Sequence, residues 1–150
     1  MLPRLYFDTS VFGGINDAEF QEDSLKLFEM VKNDEIKCVF SDLTERELEN
    51  APEIVKNNFF SISGHQKEFV NVTEDAYILA QKYIAEQVVG ETSFDDCVHI
   101  ATATLHKVDY LVSWNFKHIV NVFRIKGYNA VNMKNAYTQL DIRSPKEIIR

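Results

Sequence analysis

The sequence predicts an α/β fold, a central parallel β-sheet with helices on both faces. Three observations predict it. Short apolar segments alternate with longer stretches of helical periodicity. The segments Leu5-Tyr6-Phe7, Cys38-Val39-Phe40 and Leu111-Val112 are apolar throughout, so the sheet they form is covered on both sides. Two of them run out into polar groups, Asp8-Thr9-Ser10 and Ser113-Trp114-Asn115, at the edge where parallel sheets bind ligands.

The elements follow in order. Arg4 to Asp8 is the first strand. Gly13-Gly14 reads as a turn or flexible loop. Glu22 to Asn33 is helical, with Leu25, Phe28 and Val31 at helical spacing and Leu27 beside them. Lys37 to Phe40 is the second strand. Ser41 and Asp42 open a helix, in which Asp42-Leu43-Thr44-Glu45 has capping-box spacing. Pro52 ends or restarts that helix. Asn57 to Gly64 is expected to be a loop, with Phe59-Phe60 folding back on the core, and Phe69 to Val72 is a short extended piece. Thr73 caps a helix from Glu74 to about Val88, which Gly90 ends. Ser93 caps the next helix, which runs to about Lys107. Asp109 to Ser113 is a buried strand. Phe116 to Phe123 fits a helix better than a strand, and Tyr128 to Met133 is expected to be a last strand. Ser144-Pro145-Lys146-Glu147 is a capped helical turn with proline at its favoured first position.

At 150 residues the chain is expected to form a single domain spanning 1–150. A chain of this size buries roughly 70% of its unfolded surface, so its core needs no staples. The two cysteines, Cys38 and Cys97, lie in apolar runs and read as core residues rather than a disulfide framework. No apolar run approaches the ~20 residues of a membrane span, and no signal peptide is legible, so a cytoplasmic protein with no membrane partner is expected. The net charge of −7 argues against a broad electrostatic groove for nucleic acid. It does not exclude nucleic acid, because an acidic cluster loaded with a divalent cation inverts the local sign.

Carboxylate placement points to such a cluster. On the helix from Leu43, at ~100° per residue, Glu47 falls inside the apolar arc of Leu43, Leu48 and Ala51, while Glu45 and Glu49 fall on the solvent side. A carboxylate on a core-facing stripe needs a partner. On the helix from Phe94, Asp95 and Asp96 sit near opposite edges of a wide apolar face, and periodicity does not choose between them. His99 falls in the middle of the polar face and is expected to be solvated. Asn115 lies just past a strand end, as Asp8 does, and the two meet if their strands are neighbours. Carboxylates ~4 Å apart repel by about 4 kcal/mol at an effective dielectric near 20, so a folded chain keeps them together only with a cation or protons. Oxygen-only ligands select Mg²⁺ or Mn²⁺, whose natural chemistry is activation of water against a phosphodiester.

The ordered set resembles a PIN domain: Asp8 after the first strand, Glu47-Leu48 on the second helix, Asp96-Cys-Val-His-Ile-Ala-Thr-Ala on a later helix, and Leu111-Val112-Ser113-Trp114-Asn115 at the fourth acidic position. Chains of this length are similar to the VapC-type toxins of toxin–antitoxin pairs. The resemblance implies a PIN-like three-layer fold and Mg²⁺- or Mn²⁺-dependent endoribonuclease activity. It also implies an RNA substrate, a cognate antitoxin and a homodimer. It selects Asp96 over Asp95 and Glu47 over Glu45. Asp8, Glu47, Asp96 and Asn115 are then the catalytic set, with Asp8, Asp96 and Glu47 about the metal. Asn115 departs from the family's usual aspartate, which removes one charge. The second reading is therefore a catalytically weakened protein- or RNA-binding module. An aspartate-nucleophile phosphatase ranks below both, because Asp8-Thr9-Ser10 lacks a second aspartate.

Overall fold

The computed structural model describes residues 1–149. Five parallel strands form one sheet: β1 (Arg4–Phe7), β2 (Lys37–Ser41), β3 (Lys67–Val70), β4 (Tyr110–Val112) and β5 (Ile142–Arg143). Their spatial order is β3-β2-β1-β4-β5. The first strand is thus central, and the chain reverses direction of sheet growth about it when it passes from β3 to β4. Tyr6 lies opposite Val39 on one side and Leu111 on the other.

The helices cover both faces. Leu5 and Phe7 point to one, where α1 (Thr9–Gly13), α2 (Gln21–Lys32), α4 (Glu53–Ser61) and α8 (Pro145–Ile148) pack around Phe12, Phe28 and Phe59. Tyr6 points to the other, where α5 (Glu74–Ala85), α6 (Phe94–Leu105) and α7 (Val122–Lys134) pack around Leu79, Tyr83, Ile100 and Tyr128. The short α3 (Asp42–Leu48) follows β2 directly. Every strand residue from Leu5 to Phe7 is buried, as an apolar run without alternation requires. Cys38 and Cys97 are free and buried. Among the described residues no helix is long and apolar enough to cross a membrane.

Several expectations give way to the structure. Gly13-Gly14 is not a loop: Gly13 closes α1 and Gly14 begins a 3-10 turn. Asn57 to Ser61 is helical, the second half of α4. The asparagines mislead there, and Val55 and Phe59, both buried at i,i+4 spacing, decide the matter. Phe59 does reach the core, but Phe60 stays exposed. Leu25 is on the solvent side of α2. The capping box of α3 starts one residue earlier than its spacing suggests, with Ser41 Oγ accepting from the Thr44 amide and Thr44 Oγ1 from the Ser41 amide. Phe116 to Val120 forms turns rather than a helix, and α7 begins only at Val122, where the Asn121 side chain caps it. Tyr128 to Met133 is the body of α7, not a strand. Its buried residues Tyr128, Val131 and Asn132 stand at i, i+3 and i+4. The last strand is the two-residue Ile142–Arg143, too short to show a pattern.

Candidate active site at the carboxyl edge of the sheet

Asp8 leaves the end of β1, and its backbone amide still pairs with the Val112 carbonyl of β4 at 3.1 Å. The side chain therefore emerges between the two strands where the chain changes sides of the sheet, the place where open parallel sheets bind ligands. It is only 4% exposed. Ser10 Oγ donates to its Oδ1 at 2.6 Å and Ser113 Oγ to its Oδ2 at 2.9 Å. No described cationic side chain bonds it directly. Burial pushes the Asp8 carboxyl up to about 6, against the opposing effects of nearby His99 and the two hydroxyls, and the Asp96 charge adds to the rise.

Asp96 enters from the first turn of α6, half-buried, while Asp95 beside it is exposed. Burial raises its carboxyl as well, His99 and His118 oppose the rise, and Glu47 adds to it. The Asn115 Nδ2 amide donates to Asp96 Oδ2 at 3.3 Å. The Asn115 backbone N–H donates to Ser113 Oγ at 2.9 Å, so Asn115, Ser113 and Asp8 form one connected rim. Asn115 thus meets Asp8 through Ser113 and faces Asp96 with its amide donor. Its Oδ1 is turned away, accepting from the Lys117 and His118 backbone amides at 3.2 and 2.9 Å.

Glu47 reaches the same edge from α3 with a half-buried side chain, while Glu45 and Glu49 are exposed, as the helical periodicity predicts. Its Oε1 accepts from Thr9 Oγ1 at 2.6 Å and lies 2.6 Å from His99 Nε2. Burial raises the Glu47 carboxyl, but the hydrogen bond and charge of His99, with the Thr9 bond, outweigh it and leave the group below its usual range.

His99 is the member that the sequence concealed. It is not solvated: it is 2% exposed, packed under the cluster. Its Nδ1 lies 2.6 Å from the Tyr6 hydroxyl, which in turn lies 2.7 Å from Ser41 Oγ. Nε2 against a carboxylate carries the proton, so in the neutral ring Nδ1 accepts from Tyr6. The expectation fails because α6 is buried nearly all round from Cys97 to Thr104, so its apparent polar face is not a solvent face. The legible signal was the position of His99 three residues after Asp96, on the same side of the helix. His118, half-buried near Asp96, was also missed, and its Nδ1 is buried with no partner among the described residues.

Among the described residues no three acidic, histidine or cysteine side chains converge tightly enough to enclose an ion by themselves. The donor set still suits a hard divalent cation. Asp8 and Asp96 present carboxylate oxygens that burial destabilises as anions, Asp8 further by the charge of Asp96 and Asp96 further by those of Glu47 and Asp95. Magnesium is ordinarily held by one or two carboxylates, with water and substrate phosphate completing its shell.

No protein-family model and no curated protein matches this sequence. Solved structures do match it. VapBC2 of Rickettsia felis, solved bound to a DNA fragment from its promoter, superposes with a TM-score of 0.58 at 12% identity, covering 94% of this chain and 98% of that one. The Mycobacterium tuberculosis toxin VapC20, described as cleaving the sarcin–ricin loop, superposes with a TM-score of 0.56 at 15% identity, covering 75% of this chain and 91% of that one. The fold is that of the VapC toxins. Both the predicted fold class and its PIN-like architecture hold, with Asp8, Glu47, Asp96 and Asn115 all brought to one edge of that VapC-like sheet.

Proposed function

We propose that the protein is an endoribonuclease dependent on Mg²⁺ or Mn²⁺, acting as the toxin of a toxin–antitoxin pair. The observation that carries the reading is Asp8: a fully buried carboxylate with a raised pKa and only hydroxyl partners, in a VapC-like fold, facing a second raised carboxylate at Asp96. Asp8 and Asp96 are the residues that would hold the cation. Glu47 belongs one layer out, because its Oε1 is already committed to Thr9 and His99. When bound, the ion supplies positive charge against a phosphodiester and acidity to water.

The chain's own residues set the rest. Ser10 and Ser113 fix the Asp8 carboxylate in one orientation, so no rotamer change is needed when a cation arrives. Thr9 and His99 hold Glu47 ionised and aimed at the cluster, as a carboxylate that accepts a proton from attacking water. The Asn115 Nδ2 donates toward Asp96, lowering the cost of its charge without adding another anion. In this reading Asn115 is a positioning residue and not a ligand.

The partners of this reading are RNA, a second copy of the chain, and an antitoxin whose Arg or Lys side chains would pair with the same carboxylates. Incubation of RNA with Mn²⁺ tests it: wild type should cleave, and Asp8→Asn should lose at least 100-fold in rate. Equal cleavage by both would refute the assignment. The turned-away carbonyl of Asn115 favours a second reading, a non-catalytic RNA-binding module. Calorimetry that detects no Mn²⁺ binding would favour it.

A further inference from the structure

The proposed chemistry leaves one adjoining feature unused. A cavity of about 310 Å³ opens between the C-terminal end of α1, Phe20 and the segment after β4. Ser10 and Asn115 line it, and these residues also bond Asp8 and Asp96, so the cavity and the carboxylate cluster share a wall. Its other wall is aromatic. Phe20 stacks on Trp114 with ring centroids 4.2 Å apart and 16° between planes. Outside the lining, Phe116 stands edge-on to the indole, 6.1 Å from Trp114 and 49% exposed. Trp114 is fixed from both ends, its indole N–H donating to Ser24 Oγ at 2.8 Å and its backbone amide to Ser10 Oγ at 2.9 Å. Among the described residues lining the cavity, Asp17 alone is charged.

We propose that this cavity is a nucleobase subsite. It takes one unstacked base of single-stranded RNA while the adjoining phosphate lies at the carboxylate cluster; this rests on the ribonuclease reading above. Rigid aromatic faces are how proteins hold splayed bases, whatever their identity. Asp17 repels phosphate and accepts hydrogen bonds from base N–H edges, so a base enters and the backbone stays outside. The wall of Ser10 and Asn115, shared with the carboxylate cluster, sets a base in the cavity beside a phosphate at the carboxylates. Stacking also suits a chain of net charge −7, which has little basic surface to spend on phosphates.

Trp114 is the only tryptophan in the chain, so its emission reports on the cavity directly. The probe is a mixed-sequence octaribonucleotide in EDTA, where cleavage is off, compared with an abasic ribose-phosphate oligomer of equal length. The RNA should quench Trp114 saturably and the abasic oligomer should not. Gly13 has right-handed helical backbone angles of −66° and −23°, and a Cβ there meets nothing within 4 Å. Gly13→Leu should therefore fold with unchanged circular dichroism, fill the cavity and abolish the quenching. Phe20→Ala should weaken binding about ten-fold, as loss of one stacking ring does, with the loss falling on KM in the Mn²⁺ assay. Equal quenching by the abasic oligomer, or full quenching retained in folded Gly13→Leu, would overturn the subsite. So would no quenching at all, which would leave the cavity to a partner protein's side chain. Cleavage without quenching removes the subsite and spares the ribonuclease. Quenching without cleavage by wild type does the reverse.

Discussion

Asp8 is where function and stability pull against each other. Burial pushes its carboxyl up to about 6 from an ordinary value of 3.8, so between those pH values the native state binds more protons than the unfolded one. Stability of the metal-free protein should therefore fall as pH rises from about 4 to about 6, by on the order of 3 kcal/mol. Urea unfolding in EDTA at several pH values measures it. Asp8→Asn should flatten the profile and be more stable than wild type at pH 7, while losing cleavage. A flat wild-type profile would contradict the assignment. His99 offers the complementary case. His99→Ala removes one of the two partners of the buried Tyr6 hydroxyl, leaving Ser41 Oγ, opens a cavity and frees Glu47, so it should cost about 1–3 kcal/mol and lower kcat/KM by about 10–100-fold. His99→Gln keeps an amide donor for Glu47 and should recover most of the activity. If Ala and Gln are equally inactive despite being folded, His99 acts otherwise than by holding Glu47.

At the scale of elements, the neighbouring glycines at the α1 C-terminus have opposite roles. A Cβ on Gly14 would sit 2.3 Å from Ser24 Oγ and 2.8 Å from Trp114 Nε1, breaking the bond that pins the indole. A Cβ on Gly13 meets nothing. Gly14→Ala should destabilise by about 1–3 kcal/mol, as overpacking does, and Gly13→Ala should be neutral or stabilise by about 0.5–1 kcal/mol. Thermal melts of the pair distinguish them, and equal melting temperatures would contradict the packing. Neither role is legible in the sequence, because Ser24 and Trp114 are 90 residues apart and meet only through the sheet. What the sequence does disclose is what depends on local spacing. Strand ends place Asp8 and Asn115, the arc of α3 places Glu47, and Thr73 Oγ1 caps α5 as expected. Periodicity fails on α6 because burial all round that helix erases the contrast between faces, so the pattern does not mark His99 as buried. It fails at β5 because two residues carry no period.

For the whole molecule, the balance of charge constrains how the proposed RNA substrate would be held. With 16 basic against 23 acidic residues and a site built of carboxylates, few phosphates can be neutralised by side chains. The aromatic wall of Phe20 and Trp114 offers contact that salt does not screen. For single strands the slope of log K against log salt is about −0.7 per phosphate neutralised. One or two such contacts give a slope of about −0.7 to −1.4, so raising salt from 50 to 200 mM should weaken octaribonucleotide binding by less than about ten-fold. A basic groove contacting six or more phosphates would lose ~10²-fold or more over the same range. Fluorescence titration of Trp114 across that range decides between them. A slope steeper than about −4 would mean that a basic surface, outside the carboxylate edge and its aromatic cavity, carries the RNA.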